Sequence, residues 1–335
     1  MNLKEFDYQL PENLIAQHPL HRREKARLMV VDRAKQTIEH SVFSDIGKYL
    51  PESSAIVLNN SKVIPARLLG TKKRTGGQVE IFLLNKSEND CYETLLRPLK
   101  RIKDGDEIVF KKSNLKAYIV DRERRLVRFS KKNILPDLEK IGHMPLPPYI
   151  KRADKFEDKK YYQTVFAKKE GSVASPTAGL HFTNQLLAKL KTQGHKTEQI
   201  TLHINYATFK PVEERDVTKH KMHFEEYAVT QRTLNNIKKA KSGKKAIVAV
   251  GTTSCRVLET LGNRGKLSGR TDIFMYPGYK FKMADALITN FHLPFSTLLM
   301  LVYAFGGTDL MKKAYKEAVK EKYRFYSYGD GMLIK

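Results

Sequence analysis

Ala246-Ile247-Val248-Ala249-Val250-Gly251-Thr252-Thr253-Ser254-Cys255-Arg256-Val257-Leu258 is the stretch whose reading decides the fold. Its first five residues are small or branched and apolar without interruption, the pattern of a strand buried on both faces. The strand feeds a short polar loop, after which Val257, Leu258 and Leu261 recur at helical spacing. A buried strand leading into a helix is the unit of an α/β domain, and the loop at the carboxyl end of such a strand is where these folds take ligands. The unit recurs at Ala286-Leu287-Ile288-Thr289-Asn290, followed by a polar loop, with Ser296 placed to cap an apolar helix running to Phe305. Asp309 is expected to cap a last helix with Leu310, Ala314 and Val319 facing inward.

Upstream the texture changes. Between Pro65 and Pro145 the chain breaks into short strand-like runs, Gly77 to Leu84, Glu107 to Phe110, Ala117 to Val120 and Arg125 to Phe129, separated by Gly, Asp and Lys turns. Regular short strands of this kind predict a small antiparallel sheet or barrel. Pro145-Leu146-Pro147-Pro148-Tyr149 marks the return, since proline extends neither a central strand nor a helix. The expected organisation is an α/β domain formed by residues 1–64 and 146–335, interrupted by an inserted β domain over 65–145.

With 335 residues and 41% hydrophobic content the chain can bury one large core or two smaller ones. No run approaches the roughly 18 apolar residues of a membrane span, and Met1 to Asp7 holds no apolar signal core, so a cytoplasmic protein without a membrane partner is expected. Cys91 and Cys255 stand far apart with no Cys-x-x-Cys spacing, which argues against a disulfide framework or a zinc–thiolate site. The charge is the most informative bulk property: 61 Lys and Arg against 36 Asp and Glu give +25. Such an excess favours encounter with polyanions, although charge alone leaves nucleic-acid binding and plain solubility equally open.

Several segments gather small polar residues around histidine. Gly171 to Thr183 contains Ser175-Pro176-Thr177-Ala178-Gly179-Leu180-His181 and ends on Thr183 as a helix N-cap, so its backbone donors can face a polar ligand. Thr201-Leu202-His203-Ile204-Asn205 is a strand entering a loop, where His203 taken alone reads better as a hydrogen-bonded core residue than as a catalytic group. His220-Lys221-Met222-His223-Phe224-Glu225 has the residue types of a metal site but not the His-Glu-x-x-His pattern. Gly251 to Ser254 is neither a P-loop nor a Gly-x-Gly-x-x-Gly turn, and the chain lacks the motif set of zinc deaminases.

Taken in order, the motifs resemble the S-adenosylmethionine:tRNA ribosyltransferase-isomerase family, which makes epoxyqueuosine in tRNA. The likeness runs from Phe6-Asp7-Tyr8-Gln9-Leu10-Pro11 through Val63-Ile64-Pro65-Ala66-Arg67, Pro145 to Ile150, Tyr162-Gln163-Thr164-Val165-Phe166 and Pro176 to Thr183. It continues with His220 to His223, Val250 to Thr253, Tyr276-Pro277-Gly278-Tyr279, Leu287 to Pro294 and Tyr323 to Asp330. Three departures stand beside it. Asn59-Asn60-Ser61 replaces the family's Asn-Asp-Thr or Asn-Asp-Ser, Ser175 replaces alanine, and Asn205 and Ala207 stand where a Leu-His-Val-Gly-x-Gly-Thr-Phe run has glycines.

The resemblance implies a monomer whose large α/β domain is barrel-like in outline and carries an inserted antiparallel β-barrel. It implies S-adenosylmethionine as cosubstrate and, as partner, tRNA bearing 7-aminomethyl-7-deazaguanine at the wobble position, with adenine and methionine released. The sulfonium acidifies the adjacent ribose methylene, and departing adenine needs a donor, a task that suits histidine. His181, His203, His223 and His292 are the catalytic candidates, with Glu225 orienting one of them or the substrate amine. Thr177, Gly179, Thr252, Thr253 and Asn290 are expected to hold S-adenosylmethionine; Arg67, Arg97, Lys100, Arg101 and Lys103 are expected on tRNA phosphates; no metal is expected. A non-catalytic RNA-binding protein and a relative with an altered substrate are the competing readings.

Overall fold

The computed structural model describes residues 1–87, 89–206 and 212–335. Nine strands form one mixed sheet in the order Ser268–Thr271, Glu225–Ala228, Lys196–Leu202, Ala55–Asn59, Ile247–Val250, Ala286–Asn290, Gly331–Ile334, Arg27–Asp32, Thr37–Val42. The four central strands from Lys196–Leu202 to Ala286–Asn290 run parallel, so their carboxyl ends open on the same edge.

The unbroken apolar runs have a simple physical cause, because successive side chains enter two different cores. Ile247 and Ala249 pack with Val57, Leu287 and Met332 against Val257, Leu258 and Leu299 of the helices Gly251–Arg264 and Thr297–Gly306. Val248 and Val250 pack with Ile56, Ile288 and Leu333 against Phe43, Phe182 and Leu186 on the opposite face. Burying each of the larger side chains contributes about 1.5–3 kcal/mol.

The expected caps on two helices are in place. Ser296 Oγ accepts from Leu299 N, and Thr183 Oγ1 accepts from Leu186 N, both at 3.1 Å. Asp309 lies one residue inside the first turn of Thr308–Lys320, where its charge faces the positive helix end, while the chain turns from the preceding helix at Gly307 with φ of +84°. Gly251 likewise has φ of +85°, which sends strand Ile247–Val250 straight into its helix.

The insert is a closed six-stranded barrel in the order Leu126–Phe129, Cys91–Arg97, Gln78–Lys86, Arg67–Lys72, Glu107–Val109, Lys116–Asp121, neighbours antiparallel within it. Leu68, Ile81, Leu96, Ile108, Ala117 and Val127 fill its interior. The returning chain closes on the entering one, with His143 N donating to Arg67 O at 2.8 Å and Arg67 N to His143 O at 3.3 Å. Among the described residues no helix is long and apolar enough to cross a membrane. Both cysteines are buried and free.

Candidate active site

Where the parallel strands end, their connections converge. Thr252 and Thr253 follow Ile247–Val250, Asn290 ends Ala286–Asn290 and His292 follows it, and Ile204 follows Lys196–Leu202; all five line one cleft. Ser175 and Thr177 enter from the loop before Asn184–Thr192, and Tyr149 and Tyr326 close another side. Counted together with the open solvent at its mouth, the cleft spans about 770 Å³.

Its polar atoms are unevenly satisfied. Ser175 Oγ, Thr253 Oγ1, Asn290 Oδ1 and the Tyr326 hydroxyl are buried with no hydrogen-bond partner among the described residues. A buried polar atom without a partner costs about 1–3 kcal/mol, so four around one cleft are the mark of a site completed by a ligand. Asn290 shows how such an atom is aimed. Its amide Nδ2 donates to Tyr326 O at 3.0 Å and to His181 Nε2 at 3.3 Å, leaving Oδ1 fixed as an acceptor.

His181 therefore sits one layer behind the cleft, its ring stacked on Phe43 at 4.6 Å. Burial, helped by the Arg324 and Arg23 charges, lowers its pKa to about 3. His292 faces the cleft with Nε2 2.7 Å from Thr289 Oγ1, and burial lowers its pKa to about 3 as well. Both imidazoles are neutral at physiological pH and act as hydrogen-bonding groups rather than as cations. Burial raises the Tyr149 and Tyr326 phenols above their usual range, so both stay protonated; their rings stack at 4.5 Å.

A consequence for stability follows from the depressed histidine values. Below the unfolded pKa near 6.5 the unfolded chain takes up protons that buried His181 and His292 refuse, so stability falls as pH drops from 6.5 toward 3. Each histidine is expected to cost about 2 kcal/mol between pH 7 and pH 5. Urea midpoints measured at those two pH values should therefore converge in His292→Gln relative to the unmodified chain; an equal drop in both would show that His292 is not buried in neutral form.

The other candidates fall elsewhere. His203 and Glu225 line a second, larger groove of about 2710 Å³, solvent included, which the barrel residues Leu83 to Lys86 and Tyr92 also border. His203 Nδ1 is buried without a partner among the described residues, burial lowers its pKa, and its ring lies so close to Gly171 that a Cβ there would stand 3.2 Å from it. Glu225 is held within the protein: Oε1 accepts from Asn205 N at 3.0 Å and Oε2 pairs with Arg256 Nη1. His223 is exposed and outside the cleft, and Gly179 packs behind it, where a Cβ would meet Phe166 at 2.8 Å. Arg67 binds Glu80 Oε2 through Nε at 3.0 Å and Nη2 at 2.8 Å, and shares a third hollow with Arg97. Lys100, Arg101 and Lys103 are exposed on the barrel. Among the described residues no three His, Cys, Asp or Glu gather as a metal-binding group.

Of the departures, Asn60 is structural: its Oδ1 accepts from Thr201 Oγ1 at 2.7 Å and its Nδ2 donates to Gln199 Oε1 at 3.3 Å, away from the cleft. Asn205 borders the larger groove, and Ala207 lies outside the described residues. Sequence reading assigned no site role to Tyr149, Ser175 or Tyr326. The available signal was that Tyr149 and Tyr326 lie inside Pro145 to Ile150 and Tyr323 to Asp330, two of the motifs already singled out.

An α/β sheet with an unsatisfied polar cleft at its strand ends, beside a broad groove and a small barrel, is the arrangement in which α/β proteins take ligands. The chain belongs to the queuosine biosynthesis protein family, whose sequence model matches residues 3–334. It is 54% identical over 335 residues, the whole of both chains, to the S-adenosylmethionine:tRNA ribosyltransferase-isomerase of Sulfurihydrogenibium sp. (strain YO3AOP1). It is 49% identical over 342 aligned positions, again the whole of both, to the protein of that name from Caldanaerobacter subterraneus subsp. tengcongensis. The crystal structure of S-adenosylmethionine tRNA ribosyltransferase from Thermotoga maritima matches 99% of this chain and 100% of its own, with a TM-score of 0.58 and 37% identity.

Proposed function

We propose that this chain is an enzyme that transfers the ribosyl moiety of S-adenosylmethionine onto 7-aminomethyl-7-deazaguanine at the wobble position of tRNA, yielding epoxyqueuosine and releasing adenine and methionine. The observation that carries the reading is the convergence of four unpartnered polar atoms, on Ser175, Thr253, Asn290 and Tyr326, around one cleft built from the family's motifs. They supply two hydroxyls, a phenol and an amide oxygen, a set suited to the ribose, amine and base groups of an adenosyl cosubstrate.

Thr177, Thr252, Thr253 and Asn290, joined by Ser175, hold S-adenosylmethionine. His181 fixes the Asn290 amide, and neutral His292 faces the cosubstrate as a hydrogen-bonding group. The sulfonium acidifies the ribose methylene, so the protein's main work is positioning and stabilising charge. His203 and Glu225 border the neighbouring groove, where the modified nucleotide enters. Arg97, Lys100, Arg101 and Lys103 meet tRNA phosphates from the barrel, with the chain dividing at about residues 65 and 145 and working as a cytoplasmic monomer. The test is release of adenine from S-adenosylmethionine in the presence of precursor tRNA. Release that requires this tRNA is expected; tRNA binding with neither adenine release nor affinity for S-adenosylmethionine would leave an RNA-binding protein instead.

A further inference from the structure

Phe156 is 86% exposed, more than any other exposed large hydrophobic among the described residues. The loop that presents it is clamped. Buried Asp158 accepts from Arg152 Nη1 and Nη2 at 2.7 and 2.8 Å, from Lys155 N at 2.7 Å and from the Tyr328 hydroxyl at 2.8 Å. From the other side Arg23 donates to Lys160 O and Gln163 O, both at 2.6 Å. A ring held in water by a fixed backbone is a surface for a partner, because a slack loop would let it fold back onto apolar cover.

Its surroundings define the partner. The ring borders a hollow of about 1290 Å³, solvent included, that Lys155, Lys159 and Lys160 also line; Asp158 is already paired with Arg152, which leaves Glu157 as the opposing charge there. An aromatic face set among cations fits a base and its flanking phosphates, whereas a protein or lipid contact would call for a wider contiguous apolar patch. Arg152 lines both this hollow and the one holding Arg67 and Arg97, so the platform adjoins the basic residues expected on tRNA phosphates.

We propose that Phe156 and the lysines beside it form a single-strand RNA platform, on which an unpaired base of the substrate tRNA stacks while Lys155 and Lys160 neutralise neighbouring phosphates. The inference rests on the tRNA reading above. Binding of precursor tRNA is to be measured over a range of salt for the unmodified chain, Phe156→Ala, Phe156→Trp and Lys155→Gln/Lys160→Gln, with thermal midpoints as a check on folding. Phe156→Ala is expected to weaken binding about tenfold with an unchanged salt slope, and Phe156→Trp to restore it. The double lysine variant is expected to flatten the log–log slope by about 0.7 to 0.9 per lost phosphate contact. Binding by Phe156→Ala within twofold of the unmodified chain overturns the platform alone. Failure of the unmodified chain to bind precursor tRNA overturns the tRNA reading and the platform with it. A fall in sedimentation mass on Phe156→Ala would make the ring a contact between copies of this chain and would also overturn the proposal.

Discussion

Asn290→Ala is expected to lower kcat/KM for S-adenosylmethionine by roughly 100-fold while leaving the protein folded. The size of the effect comes from what the amide does twice over. Its two hydrogens are committed to Tyr326 O and His181 Nε2, which hold Oδ1 toward the cleft as an acceptor that no donor among the described residues uses. A hydrogen bond to a charged or polarised ligand group contributes about 1.5–3 kcal/mol, and truncation also frees the Tyr326 carbonyl and the His181 ring to reorient. Asn290→Asp supplies the acceptor without the amide hydrogens, so it is expected to recover little. Adenine release at subsaturating S-adenosylmethionine measures the effect; activity of the alanine variant within threefold of the unmodified chain would remove Asn290 from the site.

Arg256→Ala is expected to cost the fold about 3–5 kcal/mol, because it strands a buried carboxylate. Arg256 and Glu225 are each only 4% exposed, they pair directly, and Arg256 also reaches the Thr271 and Ile273 carbonyls. The pair ties the helix that carries Thr252 and Thr253 to Asn205 at the mouth of the larger groove. Replacing both charges, as Arg256→Met with Glu225→Leu, is expected to be less damaging than either single change, since it removes the desolvation cost along with the attraction. Denaturant midpoints of the three variants decide this. A single-variant loss below about 1 kcal/mol would mean that the charges are solvated in the native state.

The α/β class was legible because Ile247–Val250 is apolar throughout and Ala286–Asn290 is apolar up to Thr289, and only a strand covered on both faces needs that. The barrel was legible in part. Arg67–Lys72 and Cys91–Arg97 did not read as strands, since Gly70 interrupts the first and the inward positions of the second, Cys91, Thr94 and Leu96, break the alternation opposite a register shift between Leu83 and Lys86. Gly70 is required there by crowding: a Cβ would stand 2.6 Å from Ile108 Cγ2 inside the barrel. The site was legible as a set of loops but not as a geometry. His203 and Ile204 are adjacent in sequence yet line different hollows, because successive residues of an extended chain point to opposite sides. The stacking of Tyr149 on Tyr326 and the pairing of Glu225 with Arg256 join segments whose proximity no local pattern encodes.

The central claim is that the cleft at the strand ends seats S-adenosylmethionine. A crystal structure with the cosubstrate bound tests it most directly. Adenosyl density in contact with Ser175, Thr253, Asn290 and Tyr326 is the result expected; density confined to the groove beside His203, with the cleft still holding only water, would contradict it.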